Sequence, residues 1–304
     1  MKDSLPNRGV PYDKQHRITL QIFLAPVIIV LAFFIFYPIL DTFRISGFKW
    51  NGISADKQWI GLDNWNKLIH DSKFYAAFFN NIIIMVISIA IQLPLGLALA
   101  TFIEFGGKKF TVFKVIWFIP MLMSSVAIGF LFTYALATNG GIISFLSNAL
   151  GGGNIDLLGN PKTALLTVIM VICWQFAPFY MVYFIASYTN ISLEVYEAAI
   201  IDGATRGQYF LHVALPLLLP SIKSAAILSM VGSLKYFDLI YVMTGGGPGT
   251  STELMATYMY KESFKNFNMG YGSTIAGGMF LLITILSLFT MYVINPKEAK
   301  KNHE

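Results

Sequence analysis

Six long runs of apolar residues divide this 304-residue chain. A run of about 20 mostly apolar residues is long enough to cross the hydrocarbon core of a bilayer as a helix. Inside lipid, only helices and closed barrels satisfy every backbone hydrogen bond. The sequence therefore predicts an all-α membrane protein with six transmembrane helices, at residues 20–40, 82–102, 112–137, 163–187, 222–243 and 271–294.

Composition agrees with a chain that lives in a bilayer. Hydrophobic residues make up 56% of the sequence and charged residues only 12%, which excludes an ordinary soluble domain. Six spans place both termini on one side, and the Lys and Arg residues near the span ends indicate which side. The pieces on the side of the termini carry twelve of them and the opposite pieces eight, so both termini are expected in the cytoplasm. The net charge of +5 is attributed to topology, with no nucleic-acid binding predicted.

One membrane domain, residues 20–294, is expected between two short cytoplasmic tails, residues 1–19 and 295–304. The first apolar run lacks a small-residue cleavage site after a short core, so it is expected to stay as a helix. The lone cysteine, Cys173, lies within the fourth run, which rules out an intrachain disulfide. The four histidines are far apart in sequence, so neither a metal site nor a catalytic site is predicted.

A polar stretch between the fourth and fifth apolar runs has a distinctive spacing. Its residues are Glu197, Ala198 and Ala199, then Gly203, and then Val213, Leu215 and Pro216. The alanines predict a short helix with a small-residue face, and Gly203 allows a turn or the close approach of another backbone. The stretch is therefore interpreted as a docking element.

This spacing resembles the cytoplasmic signature of permease subunits of binding-protein-dependent ABC importers. That signature is Glu-Ala-Ala, three residues, Gly, nine residues, then Ile, any residue and Leu-Pro; here Val213 replaces Ile. The resemblance implies a type I ABC importer permease fold and makes residues 189–219 an ATPase-coupling loop. The residues it assigns to coupling are Glu197, Ala198, Ala199, Asp202, Gly203, Arg206, Leu215 and Pro216.

The same resemblance implies the partners. A second, similar permease would complete the path, and two ATPase subunits would bind the cytoplasmic loops. An extracytoplasmic solute-binding protein would deliver the ligand at the bacterial plasma membrane. ATP and Mg are expected in the ATPase subunits, because neither Gly-rich run of this chain continues into the Gly-Lys-Ser/Thr of a phosphate-binding loop. The chain is therefore expected to be a transport subunit without a cofactor of its own.

Two further stretches are similar to carbohydrate-type permeases. Residues 60–65 read Ile-Gly-Leu-Asp-Asn-Trp, and residues 237–248 end in Thr-Gly-Gly-Gly-Pro. They imply a sugar or an oligosaccharide as the substrate. Two alternatives remain: a polyol or glycerol-phosphate importer of the same class, and an ion-coupled secondary transporter, which would need no ATPase dock.

Polar side chains inside the apolar runs are the candidates for the substrate path. A charge at the centre of a membrane helix costs roughly 2.5–3.5 kcal/mol on insertion scales, so it is expected to face a partner or a wet cavity. Lys235 and Asp238 are spaced to pair on a helix, or to border the path, where Lys235 would favour an acidic sugar. Amides and aromatic rings suit sugars. The predicted path residues are Asn80, Gln92, Trp174, Gln175, Tyr180, Ser233, Lys235, Tyr236 and Asp238.

Overall fold

The structure, a computed structural model, describes residues 14–294 and is almost entirely helical. The predicted tails lie outside the described residues, apart from residues 14–19, which belong to the first helix. The α-helices of the described part are α1 Lys14–Leu31, α2 Tyr37–Ser46, α3 Asp63–Ile69, α4 Ser72–Gly106, α5 Thr111–Leu122, α6 Ser125–Ala135, α7 Ile142–Ala149, α8 Ala164–Tyr188, α9 Leu193–Ile201, α10 Arg206–Tyr209, α11 Leu215–Ser233, α12 Asp238–Met243, α13 Met255–Tyr260 and α14 Met269–Ile294.

Short irregular elements join these helices. Single π-helical turns occupy Ala32–Phe36, Phe210–Ala214 and Lys261–Lys265, and a 3-10 turn occupies Gly107–Phe110. Two short antiparallel strands, β1 Phe48–Lys49 and β2 Gln58–Trp59, form a hairpin between α2 and α3. The buried Asn64 side chain holds this hairpin, because its amide donates to the carbonyls of Ser46 at 2.8 Å and Phe48 at 3.0 Å.

Five helices among the described residues are long and apolar enough to cross a membrane. They are Gln21–Ser46, Ser72–Gly106, Ala164–Tyr188, Arg206–Ser233 and Met269–Thr290. A sixth candidate is the pair Val112–Leu122 and Ser125–Ala135, which bends by 92° where Met123 and Ser124 adopt extended backbone. The predicted all-α membrane fold is confirmed, and there are six spans when the bent pair counts as one.

The fifth span does not lie where the sequence placed it. It was predicted at residues 222–243, whereas the helix runs from Arg206 to Ser233. The helix starts early because Thr205 and Gln208 form a capping box at its first turn. It ends early because the backbone leaves the helical conformation at residues 234–237, before α12.

The core that positions the candidate site consists of α4, α8 and α11. α8 is central, because 56% of its most apolar 18-residue stretch is buried. The contact between α4 and α8 is more extensive than the contact between any other two elements. Gly96 makes this close approach possible, because a Cβ there would lie only 2.6 Å from the Cβ of Tyr180. α11 packs against both helices.

The first membrane helix stands apart from this core. None of the most apolar 18-residue stretch within Gln21–Ser46 is buried. The C-terminal part of this helix, α2, packs against α14. Phe23 and Phe34 are both at least 70% exposed. This helix therefore presents an apolar surface that no described part of the chain covers.

Candidate functional site

The coupling segment, residues 189–219, begins with α9, of which no residue is buried. α9 ends in a Schellman motif, in which the Gly203 amide donates to the Ile200 carbonyl and the Ala204 amide to the Ala199 carbonyl, both at 3.0 Å. Gly203 has φ +79°, a conformation that favours glycine. No heavy atom lies within 4 Å of the position of a Cβ on Gly203, so the space beside the turn is open.

A small set of contacts holds the second half of the coupling segment against the membrane helices. The Thr205 hydroxyl accepts the Gln208 amide at 3.4 Å, and the Gln208 side chain accepts the Thr205 amide at 2.8 Å. Arg206 reaches across to α4 and donates from Nη1 to the Phe105 carbonyl at 3.2 Å. The ring of the buried Tyr209 meets the ring of Tyr196 edge-on at 5.0 Å, which ties α10 to α9.

The predicted coupling residues lie mostly at the surface of this segment. Ile201, beside them, is 84% exposed. Exposed positions are Glu197, Ala198, Asp202, Gly203, Arg206 and Pro216, and half-buried positions are Ala199 and Leu215. The short helix and the turn at Gly203 were predicted correctly from the spacing.

One continuous helix joins the coupling segment to the break at residues 234–237. It runs from Arg206 to Ser233 through the π-helical turn Phe210–Ala214 and α11. Its 28 residues correspond to a length of about 42 Å. The coupling segment and the polar residues near Ser233 are therefore two ends of the same element.

Six polar side chains, which we call the polar cluster, lie between α4, α8 and the end of α11: Ser88, Gln92, Tyr180, Ser229, Ser233 and Tyr236. Gln92 faces the Tyr236 hydroxyl, and Tyr180 faces Ser229. Although Tyr236, Tyr180 and Cys173 lie beside them, both polar atoms of Gln92 and the hydroxyls of Ser88, Ser229 and Ser233 make no hydrogen bond of good geometry among the described residues. A buried polar group without a partner is costly, so these groups have unused capacity to bind a ligand's hydroxyl groups.

Gln175 extends this polar surface toward the bend between α5 and α6. Its side chain is 2% exposed and donates from Nε2 to the Ser125 hydroxyl at 3.1 Å. Gln175 Oε1 finds no partner in the described part of the chain. Trp174, the neighbouring candidate, is 37% exposed and packs edge-on against Phe132 at 5.3 Å.

The Asn80 side chain tethers a loop to α4 and is not free to face a ligand. Its amide donates to the Thr250 carbonyl at 3.1 Å and the Glu253 carbonyl at 2.9 Å, both in the loop before α13. The next residue, Asn81, is fully buried, donates to the Ser233 carbonyl at 3.3 Å and accepts the Met255 amide at 3.0 Å. These contacts fix the loop before α13 against α4.

The expected helical pairing of Lys235 and Asp238 is wrong. Lys235 lies in the break at residues 234–237, and Asp238 begins α12, so the two are not one turn apart on a helix. Both side chains are exposed, and no ion pair joins them in the described structure. Asp238 lies at a helix N-terminus, where the helix dipole favours a negative charge.

Ser88 and Ser229 were not among the path residues predicted from sequence. The signal was available: Ser88 is one helical turn before Gln92, and Ser229 is one turn before Ser233, so each pair shares a helix face. Glu253 was also missed. It is 3% exposed, accepts the Thr257 hydroxyl at 2.6 Å and pairs with the Lys261 ammonium.

Asp71 links three elements at the opposite end of α4 from the coupling segment. Its carboxylate accepts the Tyr258 hydroxyl at 2.5 Å and the Tyr271 hydroxyl, and it caps α4 through the Lys73 amide at 2.9 Å. Burial alone would raise the pKa of Asp71, but these hydrogen bonds and one from the Phe74 amide together hold that pKa below its ordinary value. Burial and the Asp71 carboxylate raise the pKa of Tyr258.

Metal chemistry finds no support in the described residues, which contain no group of three or more His, Cys, Asp or Glu side chains able to hold an ion. The chemistry that this arrangement offers is hydrogen bonding and aromatic contact inside a helix bundle, together with one exposed segment, residues 189–219.

Comparison with known proteins identifies the same family that the spacing around Glu197 and Gly203 resembles. Residues 92–300 match the family model described as "Binding-protein-dependent transport system inner membrane component". The probable ABC transporter permease protein YurN of Bacillus subtilis is 35% identical over 91% of this chain and 96% of its own length. The multiple sugar-binding transport system permease protein MsmF of Streptococcus mutans is 30% identical over 87% of this chain and 91% of its own.

A solved structure shares the fold. In the crystal structure of a bacterial alginate ABC transporter in complex with an alginate pentasaccharide-bound periplasmic protein, one chain superposes with a TM-score of 0.81 at 21% identity. The match covers 93% of this chain and 96% of that one. Because the family model covers well over half of the sequence, and YurN aligns along nearly all of it, the chain belongs to the family of inner-membrane components of binding-protein-dependent transport systems.

Proposed function

We propose that this chain is one of two permease subunits of an ABC importer for a sugar or an oligosaccharide. The observation that carries the proposal is the single helix from Arg206 to Ser233, which joins an exposed docking segment to buried hydroxyl and amide groups without partners. Motion applied to the coupling segment would tilt this helix and open or close the polar cluster. The naming of MsmF as a multiple-sugar permease component supports the substrate class.

The proposed partners follow from two exposed surfaces. The coupling segment of this chain and the matching segment of the second permease are together the proposed docking sites for two ATPase subunits. Those subunits would bind ATP and Mg. A second, similar permease is the other proposed partner, and the exposed apolar first helix is a face on which it would pack within the membrane. A solute-binding protein would deliver the sugar from outside the cytoplasm.

The orientation proposed has both termini and residues 189–219 in the cytoplasm of a bacterial cell. A membrane-impermeant thiol reagent tests it in intact cells. The Lys57→Cys variant, in the outer hairpin region, should be labelled, and the Arg206→Cys variant should not. The native Cys173 is 2% exposed and serves as an unlabelled background. The reverse labelling pattern would contradict the orientation and the docking role together.

The sugar proposal is tested by reconstituting the permease pair and its ATPase subunits in vesicles. Solute-binding proteins of the same bacterium, each loaded with a candidate ligand, are added and ATP hydrolysis is measured. One binding protein loaded with a sugar should stimulate hydrolysis and uptake. Stimulation by a polyol or glycerol phosphate alone would favour the alternative substrate, and uptake that requires an ion gradient instead of ATP would favour a secondary transporter.

A further inference from the structure

Four aromatic side chains meet beyond the break that ends α11, and we call them the aromatic platform: Phe237, Tyr241, Tyr260 and Phe264. Phe237 stacks on Tyr241 at 5.1 Å with an interplanar angle of 14°. Tyr241 meets Tyr260 edge-on at 5.1 Å, and Tyr260 meets Phe264 at 5.3 Å. Phe264 is 55% exposed and the other three are half-buried, so the rings form a surface rather than a core.

Local sequence explains why these rings share a surface. Phe237 and Tyr241 are four residues apart across the start of α12, and Tyr260 and Phe264 are four apart across the end of α13. Residues four apart lie on one side of a helix. The first four residues of α13 are buried in the protein, so its later aromatic residues are turned toward the outside.

Charged groups border the rings and hold a defined geometry. The Lys265 ammonium lies 5.1 Å from the centre of the Tyr241 ring. Lys261 is fixed beside Tyr260 by the buried carboxylate of Glu253. Lys235 lies exposed in the break just before Phe237. The platform therefore combines aromatic rings with an ammonium group over one ring, further ammonium groups nearby, and hydroxyl groups at the ring edges.

This combination fits a sugar better than the other surfaces that aromatic residues cover. A lipid chain or an apolar helix would gain nothing from the ammonium and hydroxyl groups. A pyranose ring has an apolar face that packs on an aromatic ring and hydroxyl groups that bind such polar edges. The platform also begins at Phe237, directly after Tyr236 of the polar cluster, so the two groups of side chains are adjacent along the chain.

We propose that the aromatic platform is an outer binding site for a pyranose ring, which the incoming sugar occupies before it reaches the polar cluster. The proposal rests on the proposed function as a sugar permease. It adds residues Tyr241, Tyr260, Phe264 and Lys265 as determinants of sugar specificity, on elements that lie outside the core helices.

Protection from labelling tests whether a sugar occupies the platform. The F264C variant is assembled in the full importer and treated with a membrane-impermeant maleimide, with the binding protein either unloaded or loaded with its sugar. The loaded protein should suppress labelling of the variant. The matched control is I53C on the outer hairpin, where Ile53 is 76% exposed and labelling should be the same in both states. An F264C thiol that never reacts would place another subunit on the platform, and an unchanged rate would leave the platform without sugar; either result overturns the proposal.

Transport kinetics separate a binding role from a structural one. Tyr241→Ala should raise the KM for uptake about five- to tenfold, the loss expected for one aromatic contact, with little change in the maximal rate. Tyr241→Phe, which keeps the ring, should restore most of it. Tyr134→Ala, at a 74% exposed aromatic position on α6, is the control and should leave KM unchanged. A lower maximal rate with an unchanged KM would assign Tyr241 a structural role and overturn the proposal.

The outcome also distinguishes the two levels of inference. If no sugar-loaded binding protein stimulates ATP hydrolysis by the wild-type importer, the proposed function fails. If stimulation occurs and neither protection nor the KM shift is seen, the platform alone fails and the permease function stands.

Discussion

The coupling segment and the polar cluster lie at opposite ends of one helix and differ in how their polar groups are satisfied. The coupling segment is exposed and satisfies its own backbone groups through the Schellman motif at Gly203 and the capping box at Thr205. The polar cluster is buried and leaves several side-chain groups unsatisfied, Gln92 among them. A surface for a permanent protein partner can have its backbone polar groups hydrogen-bonded within the chain. A surface for a transient ligand must keep some hydrogen-bonding groups free for that ligand. The following predictions test that contrast.

The largest effect is expected at Gly203. Gly203→Asp places a charge in the open space beside the turn, where the ATPase is proposed to dock, and a desolvated or repelled charge at an interface costs several kcal/mol. Uptake and binding-protein-stimulated ATP hydrolysis should both fall at least about tenfold, while the amount of protein in the membrane stays constant. Both are measured in vesicles that contain the complete importer.

Two alanine variants separate charge from backbone strain at this turn. Gly203→Ala must adopt φ +79°, which costs roughly 1–2 kcal/mol for a residue with a Cβ. Gly207→Ala also has open space around the new methyl group but needs no positive φ, so it should be neutral. Full uptake by Gly203→Asp would show that this segment does not transmit the motion.

The second prediction compares two buried amides on α4. Gln92→Leu removes a group without a partner, so the melting temperature of the assembled importer should stay the same or rise, while the KM for uptake rises about tenfold as contacts to the sugar are lost. Asn81→Leu breaks satisfied hydrogen bonds to Ser233 and Met255 and should destabilise the assembly by about 1–3 kcal/mol. If Gln92→Leu destabilised the importer as much as Asn81→Leu does, the idea of reserved hydrogen-bonding capacity would be wrong.

The third prediction concerns the charge in the break between α11 and α12. Because Lys235 has no ion pair with Asp238, Lys235→Met should change stability by less than about 0.5 kcal/mol. If the cation serves an acidic sugar, uptake of a uronic-acid oligosaccharide should drop about tenfold and uptake of a neutral one should be spared. Equal uptake of both sugars by the variant would exclude a role of Lys235 in recognising acidic ligands, and Asp238→Asn serves as the matched control.

The smallest effect is expected at Asp71, which lies far from both regions. Its pKa is lowered in the folded protein, so its stabilising contribution is complete above the unfolded value of about 4 and is lost as the pH falls through the lower folded value. The melting temperature of the wild type should therefore decrease below about pH 4. Asp71→Asn should lower it at neutral pH and flatten this part of the profile; a profile identical to that of the wild type would contradict the role of Asp71.

The parts of the site that sequence predicted well are those set by local spacing. The helix of Glu197 and the turn at Gly203 follow from residues within a few positions of each other, so their pattern survives in the sequence alone. The bounds of the fifth span did not, because Pro216 and Pro220 are accommodated inside a helix next to a π-helical turn.

The roles of the path residues depend on contacts that no local pattern contains. Asn80 was predicted to face the path, yet its amide binds carbonyls 170 and 173 residues away. Gln92 was predicted on the same grounds of burial and polarity and is left without a partner. From sequence these two amides are equivalent, and only the position of the loop before α13 separates a tether from a candidate ligand contact.

The unburied first helix has a consequence for how such importers keep their subunits sorted. Since no residue of 21–36 is buried by the described part of the chain, selection on that face comes mainly from its surroundings in the assembled importer and from lipid. In a cell that makes several importers of this family, we expect the side chains of this stretch to determine which partner subunit the chain binds. Exchanging it between two related permeases should exchange which complex each one joins, without altering which sugar either one carries.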